Sequence, residues 1–133
     1  RALNRRMLPL RYARFWLAAG LLLLAVGLVS ALVPAPRGMG SLNDKFVHVA
    51  GFLAFTVWFG GIVERRLLPR VALALVAYGL LIELLQSLTP VRQAEFLDLV
   101  ADVAGVLLGW LLCAAGFSRW CTLVESWLAP PRP

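Results

Sequence analysis

The sequence predicts an all-α membrane protein, a four-helix transmembrane bundle with both termini in the cytoplasm and an amphipathic C-terminal segment. Of its 133 residues, 61% are hydrophobic and 15% are charged, whereas soluble domains average about 45–50% apolar and about 25% charged residues. A single core of this size could not bury so much apolar surface in water, but four helices of about 20 residues would place it in lipid. This composition excludes a soluble globular domain.

Four apolar runs account for most of the chain. At about 1.5 Å per residue, each run spans about 27–31 Å, which matches the hydrocarbon thickness of a bilayer. None of them alternates as a β-barrel strand does. We therefore predict a transmembrane domain over residues 15–117, between a basic N-terminal segment (1–14) and a tail (118–133). Its four helices are predicted at Phe15–Val33, at Phe46–Val63, between Pro69 and Pro90, and at Leu97–Phe117.

Lysine and arginine are distributed unequally in this topology. The N-terminal segment, the second loop and the tail carry ten of the 13, and the other side carries three, Arg37, Lys45 and Arg92. Because these residues concentrate on the cytoplasmic side, we predict a multi-pass protein of the bacterial cytoplasmic membrane with both termini inside. The same topology accounts for the net charge of +6 without a nucleic-acid partner. The first run is longer than the apolar region of a secretory signal, about 7–15 residues, so we expect it to be retained as an anchor.

The tail has its own apolar pattern. Trp120, Leu123, Val124, Trp127 and Leu128 recur at steps of three and four residues before two prolines. This spacing is typical of an amphipathic helix, which we expect to lie on the cytoplasmic membrane surface with membrane lipids as its partner.

Polar residues in and beside the predicted helices gather at the outer membrane face. They include three pairs with a spacing of three or four residues, which places each pair on one helix face. Helices 2, 3 and 4 each contribute one such pair, and two cations lie at the same depth. We predict a ligand-binding site from these residues: Asp44, Lys45, His48, Glu83, Gln86, Arg92, Asp98 and Asp102.

Two of the carboxylates lie inside the predicted spans. Glu83 and Asp102 are each five residues from the outer end of their helix, or roughly 7–8 Å deep. A charge near the bilayer centre costs about 2.5–3.5 kcal/mol, less near the interface, so such groups usually face the interior of a bundle or a wet cavity. We therefore expect a water-accessible pocket that opens to the outside.

Four motifs follow one another along the chain: Asp44-Lys45-x-x-His48 with Phe52, Glu83-x-x-Gln86, Pro90-x-Arg92 and Asp98-x-x-x-Asp102-x-x-Gly105-x-x-x-Gly109. Through these motifs the segment from Asn43 to Trp110 resembles the VanZ-like membrane proteins, a family named for a protein associated with teicoplanin resistance. The resemblance implies a membrane protein of the bacterial cell envelope with a link to antibiotic resistance, and it implies no particular reaction. Two residues depart from the family pattern and add negative charge: Asp102 stands where many relatives have Asn, and Glu95 where a small polar residue is common.

Several of these features have structural explanations as well. Asp44 could simply cap helix 2. Lys45 could extend to the interface or pair with a deep acid, and Glu83 could be only a structural ion-pair or hydrogen-bond partner. Gly105 and Gly109 form the small-xxx-small stripe of close helix packing. Cys113 and Cys121 are interpreted as ordinary apolar packing.

Three functions fit the predicted site. We favour a binding protein whose outer pocket recognises an envelope ligand, such as a lipid-linked headgroup or a glycopeptide, with Lys45 and Arg92 contacting phosphate or carboxylate. The alternative is a membrane-embedded hydrolase or transferase for a lipid-linked phosphate or glycan. In that enzyme His48 or Glu83 would be the general base, and Asp98 or Asp102 would hold a cation. A proton- or ion-coupled transporter ranks third and would require a homo-oligomer.

The cofactor is left open by the sequence. The predicted cluster holds more carboxylates than cations, and this surplus would be relieved by a proton or by a bound cation. Carboxylates with a single histidine suit a divalent ion such as Mg, Mn or Zn without selecting one of them.

Overall fold

The computed structural model describes residues 7–34, 41–90 and 94–128, and their regular structure is helical apart from one isolated β-bridge between Met7 and Val63. This confirms the all-α prediction. Two short 3₁₀ turns, Arg65–Leu67 and Phe117–Arg119, precede the third and fifth helices. The five helices are α1 (Ala13–Leu32), α2 (Ser41–Gly60), α3 (Leu68–Ser87), α4 (Phe96–Ala114) and α5 (Trp120–Leu128).

Three helical segments are long and apolar enough to cross a membrane. They are α1, α3 with its preceding 3₁₀ turn, and α4, with mean hydropathies of 2.4, 1.9 and 2.0. Helix α2 is also 20 residues long, but Asp44, Lys45 and His48 in its first turns lower its hydropathy. The three apolar helices indicate a membrane protein, and the fourth crossing stays a prediction.

Helix α2 begins five residues before the predicted start. It starts at Ser41 rather than Phe46, so Asp44 lies within its first turn. A carboxylate there is favoured by the helix dipole. The earlier start also places Asp44 and His48 one turn apart within the same helix, as their spacing requires for a shared face.

Helices α2 and α4 pack closely because glycines remove side chains from their interface. A Cβ at Gly105 would collide with the carbonyl oxygen of Val49 and would lie 3.0 Å from the backbone nitrogen of Leu53. A Cβ at Gly109 would lie 2.9 Å from the Leu53 carbonyl oxygen. The predicted small-residue stripe is therefore where the two backbones approach, and it fixes the side chains of the two helices relative to each other.

Helix α1 lies at the edge of the bundle. Gly20 is its one buried residue, and half of its apolar side chains are exposed, as expected of a helix that faces lipid. Side chains from α2 and α3 hold it by donating hydrogen bonds to its carbonyl oxygens: Trp58 to Trp16 (3.1 Å), Tyr78 to Leu24 (2.7 Å) and Gln86 to Ala31 (2.9 Å).

A tryptophan cluster closes the end of the bundle that holds α5. Trp16, Trp58 and Trp120 are in mutual contact, with ring centroids 5.1–5.8 Å apart. The Trp120 indole donates to the carbonyl of Val57 (2.9 Å). The predicted amphipathic segment is thus a helix that packs through Trp120 and the buried Cys121, while Trp127 is 81% exposed. Its position on a membrane surface stays a prediction.

Glu125 joins α5 to the beginning of α1. Its carboxylate accepts hydrogen bonds from the backbone N–H groups of Arg11 (2.6 Å) and Tyr12 (2.9 Å) and from the Trp16 indole (2.8 Å). Desolvation acts to raise the pKa of Glu125, but these bonds and the Arg11 charge together hold the pKa below its usual value of 4.5. The carboxylate is therefore bound in its ionised form.

We expect the contribution of Glu125 to stability to be complete above about pH 4.5, the unfolded value, and to disappear as the pH falls through the lower folded pKa. Glu125→Ala should cost about 1–2 kcal/mol near neutral pH, because three partly exposed hydrogen bonds are lost. Thermal melting of both proteins from about pH 3 to about pH 7 measures this, because these values lie on either side of the usual carboxyl pKa of about 4. A difference in melting temperature between the two proteins that stays constant across this pH range would contradict the proposed role of the ionised Glu125.

Candidate functional site: a polar cluster centred on His48

The imidazole of His48 lies between two carboxylates of α4. Its Nδ1 is 2.7 Å from Asp102 Oδ1, and its Nε2 is 3.8 Å from Asp98 Oδ2. An ionised Asp102 can only accept, so Nδ1 donates this hydrogen bond. Asp102 is fully buried, and Gly79 of α3 makes room for it, since a Cβ there would lie 2.7 Å from Asp102 Oδ2.

Lys45 is already occupied by acids of the protein. Its ammonium forms ion pairs with Asp98 Oδ1 and with Glu95 Oε2, the latter at 2.6 Å. The sequence suggested this cation as a contact for a ligand phosphate or carboxylate. Its charge is balanced within the cluster, which agrees with the alternative that Lys45 pairs with a deep acid, and its contact with a ligand stays a prediction.

Glu83 joins the cluster through the residue that precedes α4. Its Oε2 accepts a hydrogen bond from the backbone N–H of Glu95 (2.9 Å), and the side chain is 7% exposed. Its other oxygen, Oε1, has no hydrogen-bond partner within the described ranges. The expectation that Glu83 and Asp102 avoid lipid is confirmed, since both are buried.

Gln86 is buried but serves a different contact. Its amide nitrogen donates to the Ala31 carbonyl of α1, whereas its Oε1 has no partner among the residues that the structure describes. Gln86 therefore ties α1 to α3 next to the cluster. The predicted site residue Arg92 lies outside the described residues.

Three residues of the cluster can present ligand atoms to one point. One donor atom each from Asp44, His48 and Asp98 lies within 4.8 Å of the other two. Two of these residues come from α2 and one comes from α4, so the close packing of these helices is what brings them together.

A cavity of about 390 Å³ adjoins the cluster, between α1, α2 and α3. Asp44 and His48 line one part of it, and the remaining wall is mostly apolar. The sequence predicted a polar pocket, but Glu83, Asp98 and Asp102 do not line this cavity. Its apolar and small lining residues include Gly27, Ala31, Gly51, Phe52, Phe55 and Ile82.

Several parts of the site were not identified as such in the sequence. Glu95 contributes both its carboxylate and its backbone N–H, whereas the sequence indicated only its added negative charge. Gly79 makes room for Asp102, and α1 provides a wall of the cavity. The small residues Gly27 and Ser30, three apart on α1, were the available signal for that wall.

The cluster carries a surplus of negative charge. Its described members include five carboxylates, from Asp44, Glu83, Glu95, Asp98 and Asp102, whereas its cations are Lys45 and, when protonated, His48. An anionic ligand would be repelled here unless a cation or proton accompanied it. The geometry favours a ligand that donates hydrogen bonds, or a cation.

Comparison with protein families identifies the relatives of this chain. The model of the VanZ/LLP1 family matches residues 32–118, which is more than half of the sequence. The matched segment holds α2, α3 and α4 with the whole His48 cluster. Neither the curated proteins nor the solved structures give a match. This chain belongs to the VanZ/LLP1 family.

Proposed function

We propose that the chain is an envelope-ligand-binding protein of the bacterial cytoplasmic membrane. In this proposal it takes an amphiphile, such as a lipid-linked headgroup or a lipid-bearing glycopeptide, with the apolar part in the cavity and the headgroup at Asp44 and His48. The observation that carries the proposal is the cavity itself, which is apolar along most of its wall and polar where it meets the cluster. Ligand sites commonly combine an apolar lining with a few placed polar groups.

The charge of the cluster limits which kinds of headgroup can bind there. Lys45 is paired with Asp98 and Glu95. Where the cavity meets the cluster its wall holds Asp44 and His48, and a carboxylate accepts hydrogen bonds. A sugar, amine or amide headgroup supplies the matching donors. The orientation that we propose places this end outside, because ten of the 13 lysines and arginines then lie on the cytoplasmic side.

The proposal is tested by reducing the cavity. A Cβ at Gly51 would meet nothing within 4 Å, so Gly51→Leu should fill the cavity without disturbing the helices. We expect the purified variant to retain about tenfold less lipid than the parent, a loss of about 1.4 kcal/mol in binding. Mass spectrometry of lipids extracted from equal amounts of protein measures the difference.

The matched control is Ala54→Leu, which adds a similar apolar side chain on the exposed side of α2. This variant should keep the lipid content of the parent. Equal lipid retention by Gly51→Leu and Ala54→Leu would contradict the proposal.

One observation favours the alternative of a membrane-embedded enzyme. The Nδ1 of His48 is held by the buried Asp102, which orients the imidazole as in histidine general bases. Turnover of a lipid-linked phosphate or glycan that disappears in both His48→Ala and Glu83→Gln would establish this alternative. Stoichiometric binding without turnover would support the binding protein.

A further inference from the structure

We propose that Asp44, His48 and Asp98 form a binding site for a divalent cation of the manganese or zinc class. The site lies where the apolar cavity meets the polar cluster, but it is argued from its ligand atoms and does not depend on the proposed amphiphile.

The first argument is the relation between His48 and Asp98. With Nδ1 donating to Asp102, a neutral His48 presents the lone pair of Nε2, and Asp98 Oδ2 faces it at 3.8 Å. Two acceptors at this distance make no hydrogen bond with each other. They do suit two ligands of one metal ion, since bonds of about 2.0–2.2 Å place neighbouring ligand atoms roughly 3–4 Å apart.

The second argument is that Lys45 uses only one oxygen of Asp98 and that Asp44 lies close enough to be a third ligand. Lys45 pairs with Oδ1 of Asp98, so Oδ2 is the oxygen directed at His48. Asp44 supplies the third ligand and lies one helical turn before His48. This spacing is that of paired metal ligands on one helix face.

The third argument comes from buried atoms around the three ligands. Asp102 is fully buried behind His48, where it fixes the tautomer and the ring plane as outer carboxylates do for metal-bound histidines. Asp102 Oδ2 and Glu83 Oε1 are buried and lack hydrogen-bond partners in the described part of the chain. Both atoms are carboxylate oxygens, and the carboxylates of the cluster already outnumber its cations. A bound cation answers this imbalance, whereas an anion would increase it.

The test uses the full chain without a histidine tag, purified in detergent and titrated with Mn²⁺ as the probe. Electron paramagnetic resonance gives the affinity, and pulsed measurements detect the coupling of an imidazole nitrogen to the ion. His48 is the one histidine of the chain, so this coupling can come only from its side chain. We expect one bound ion per chain, the nitrogen coupling, and displacement by Zn²⁺.

Variants separate ligand atoms from general electrostatics. We expect His48→Asn to lose the nitrogen coupling, and His48→Asn and Asp98→Asn each to weaken binding more than tenfold. Asp102→Asn, which alters only the orienting group, should weaken it about 10- to 100-fold while retaining the coupling. Glu64→Gln, an acid away from the cluster that pairs with Arg66, should bind as the parent does.

Absence of nitrogen coupling in the parent would overturn the site, as would equal affinities for Asp98→Asn and Glu64→Gln. Thermal melting of each variant shows whether a loss of binding reflects unfolding, and Asp44→Asn provides a second ligand variant if Asp98→Asn fails to fold. Lipid retention measured in chelator separates the two proposals. Lipid binding that persists without any Mn²⁺ binding would reject the cation site alone.

Discussion

Gly105→Ala is expected to destabilise the folded chain strongly, because a backbone atom of α2 occupies the space that the new side chain needs. The added methyl group would collide with the Val49 carbonyl oxygen and would lie 2.9 Å from Phe52 Cβ. Overpacking of this kind typically costs about 1–3 kcal/mol, and we expect the upper end because the backbone itself has to move. The displaced α2 would also carry His48 away from Asp98 and Asp102.

The matched control is Gly51→Ala on α2, where the added Cβ meets nothing within 4 Å. This variant should be as stable as the parent or slightly more stable, because alanine is favoured over glycine in helices by about 1 kcal/mol. Melting followed by a thiol-reactive dye suits the measurement, since Cys113 and Cys121 are both free and fully buried in the folded chain. Equal melting temperatures for the two variants would show that α2 and α4 do not pack through Gly105.

Trp120→Ala is expected to give the second large loss, about 2–3 kcal/mol. Full truncation of a buried tryptophan costs about 3–5 kcal/mol, and Trp120 is only partly buried. The change removes ring contacts with Trp16 and Trp58 and the hydrogen bond to the Val57 carbonyl. It should free α5 and expose Cys121.

Trp127→Ala is the control for this prediction, since it removes the same side chain from the same helix at a position that is 81% exposed. In detergent this variant should have the same melting temperature as the parent. Faster labelling of Cys121 at a temperature well below melting should occur in Trp120→Ala alone. If both variants labelled equally, the tryptophan cluster would not be what holds α5.

The positions of the main helices could be predicted from the sequence because the bilayer imposes a length and a composition on each span. The starts and ends were less predictable. The predicted start of α2 at Phe46 assumed that polar residues lie outside a span, whereas the helix begins at Ser41 and includes Asp44 and Lys45. A helix can begin before its apolar run, because backbone hydrogen bonding continues through polar residues and an acid in the first turn is favoured.

The members of the polar cluster were also mostly predictable, since a spacing of three or four residues places side chains on one helix face. Which atoms meet could not be predicted, because that depends on the distance between helices. Pairing with a deep acid was one of the predictions for Lys45, but the sequence did not indicate that its partners are Asp98 and Glu95. Glu95 also contributes its backbone N–H to Glu83, and because every residue except proline has this group, it leaves no sequence signal.

The cavity was the least predictable feature. Its wall combines residues from three helices, and α1 carries no charged residue between Leu17 and Val33 that would have linked it to the site. A void arises where side chains are too small to fill the space between helices, as at Gly51. That depends on the relative positions of all three helices.

The attachment of α1 has an evolutionary consequence. The indole, phenol and amide groups that hold it reach main-chain oxygens, which are present whatever the side chain at those positions. Selection can therefore act on Trp58, Tyr78 and Gln86, while most positions of α1 can change to other apolar residues. Divergent relatives should conserve the three donor side chains and vary in the side chains of α1. Low sequence similarity along α1 is therefore compatible with the same fold.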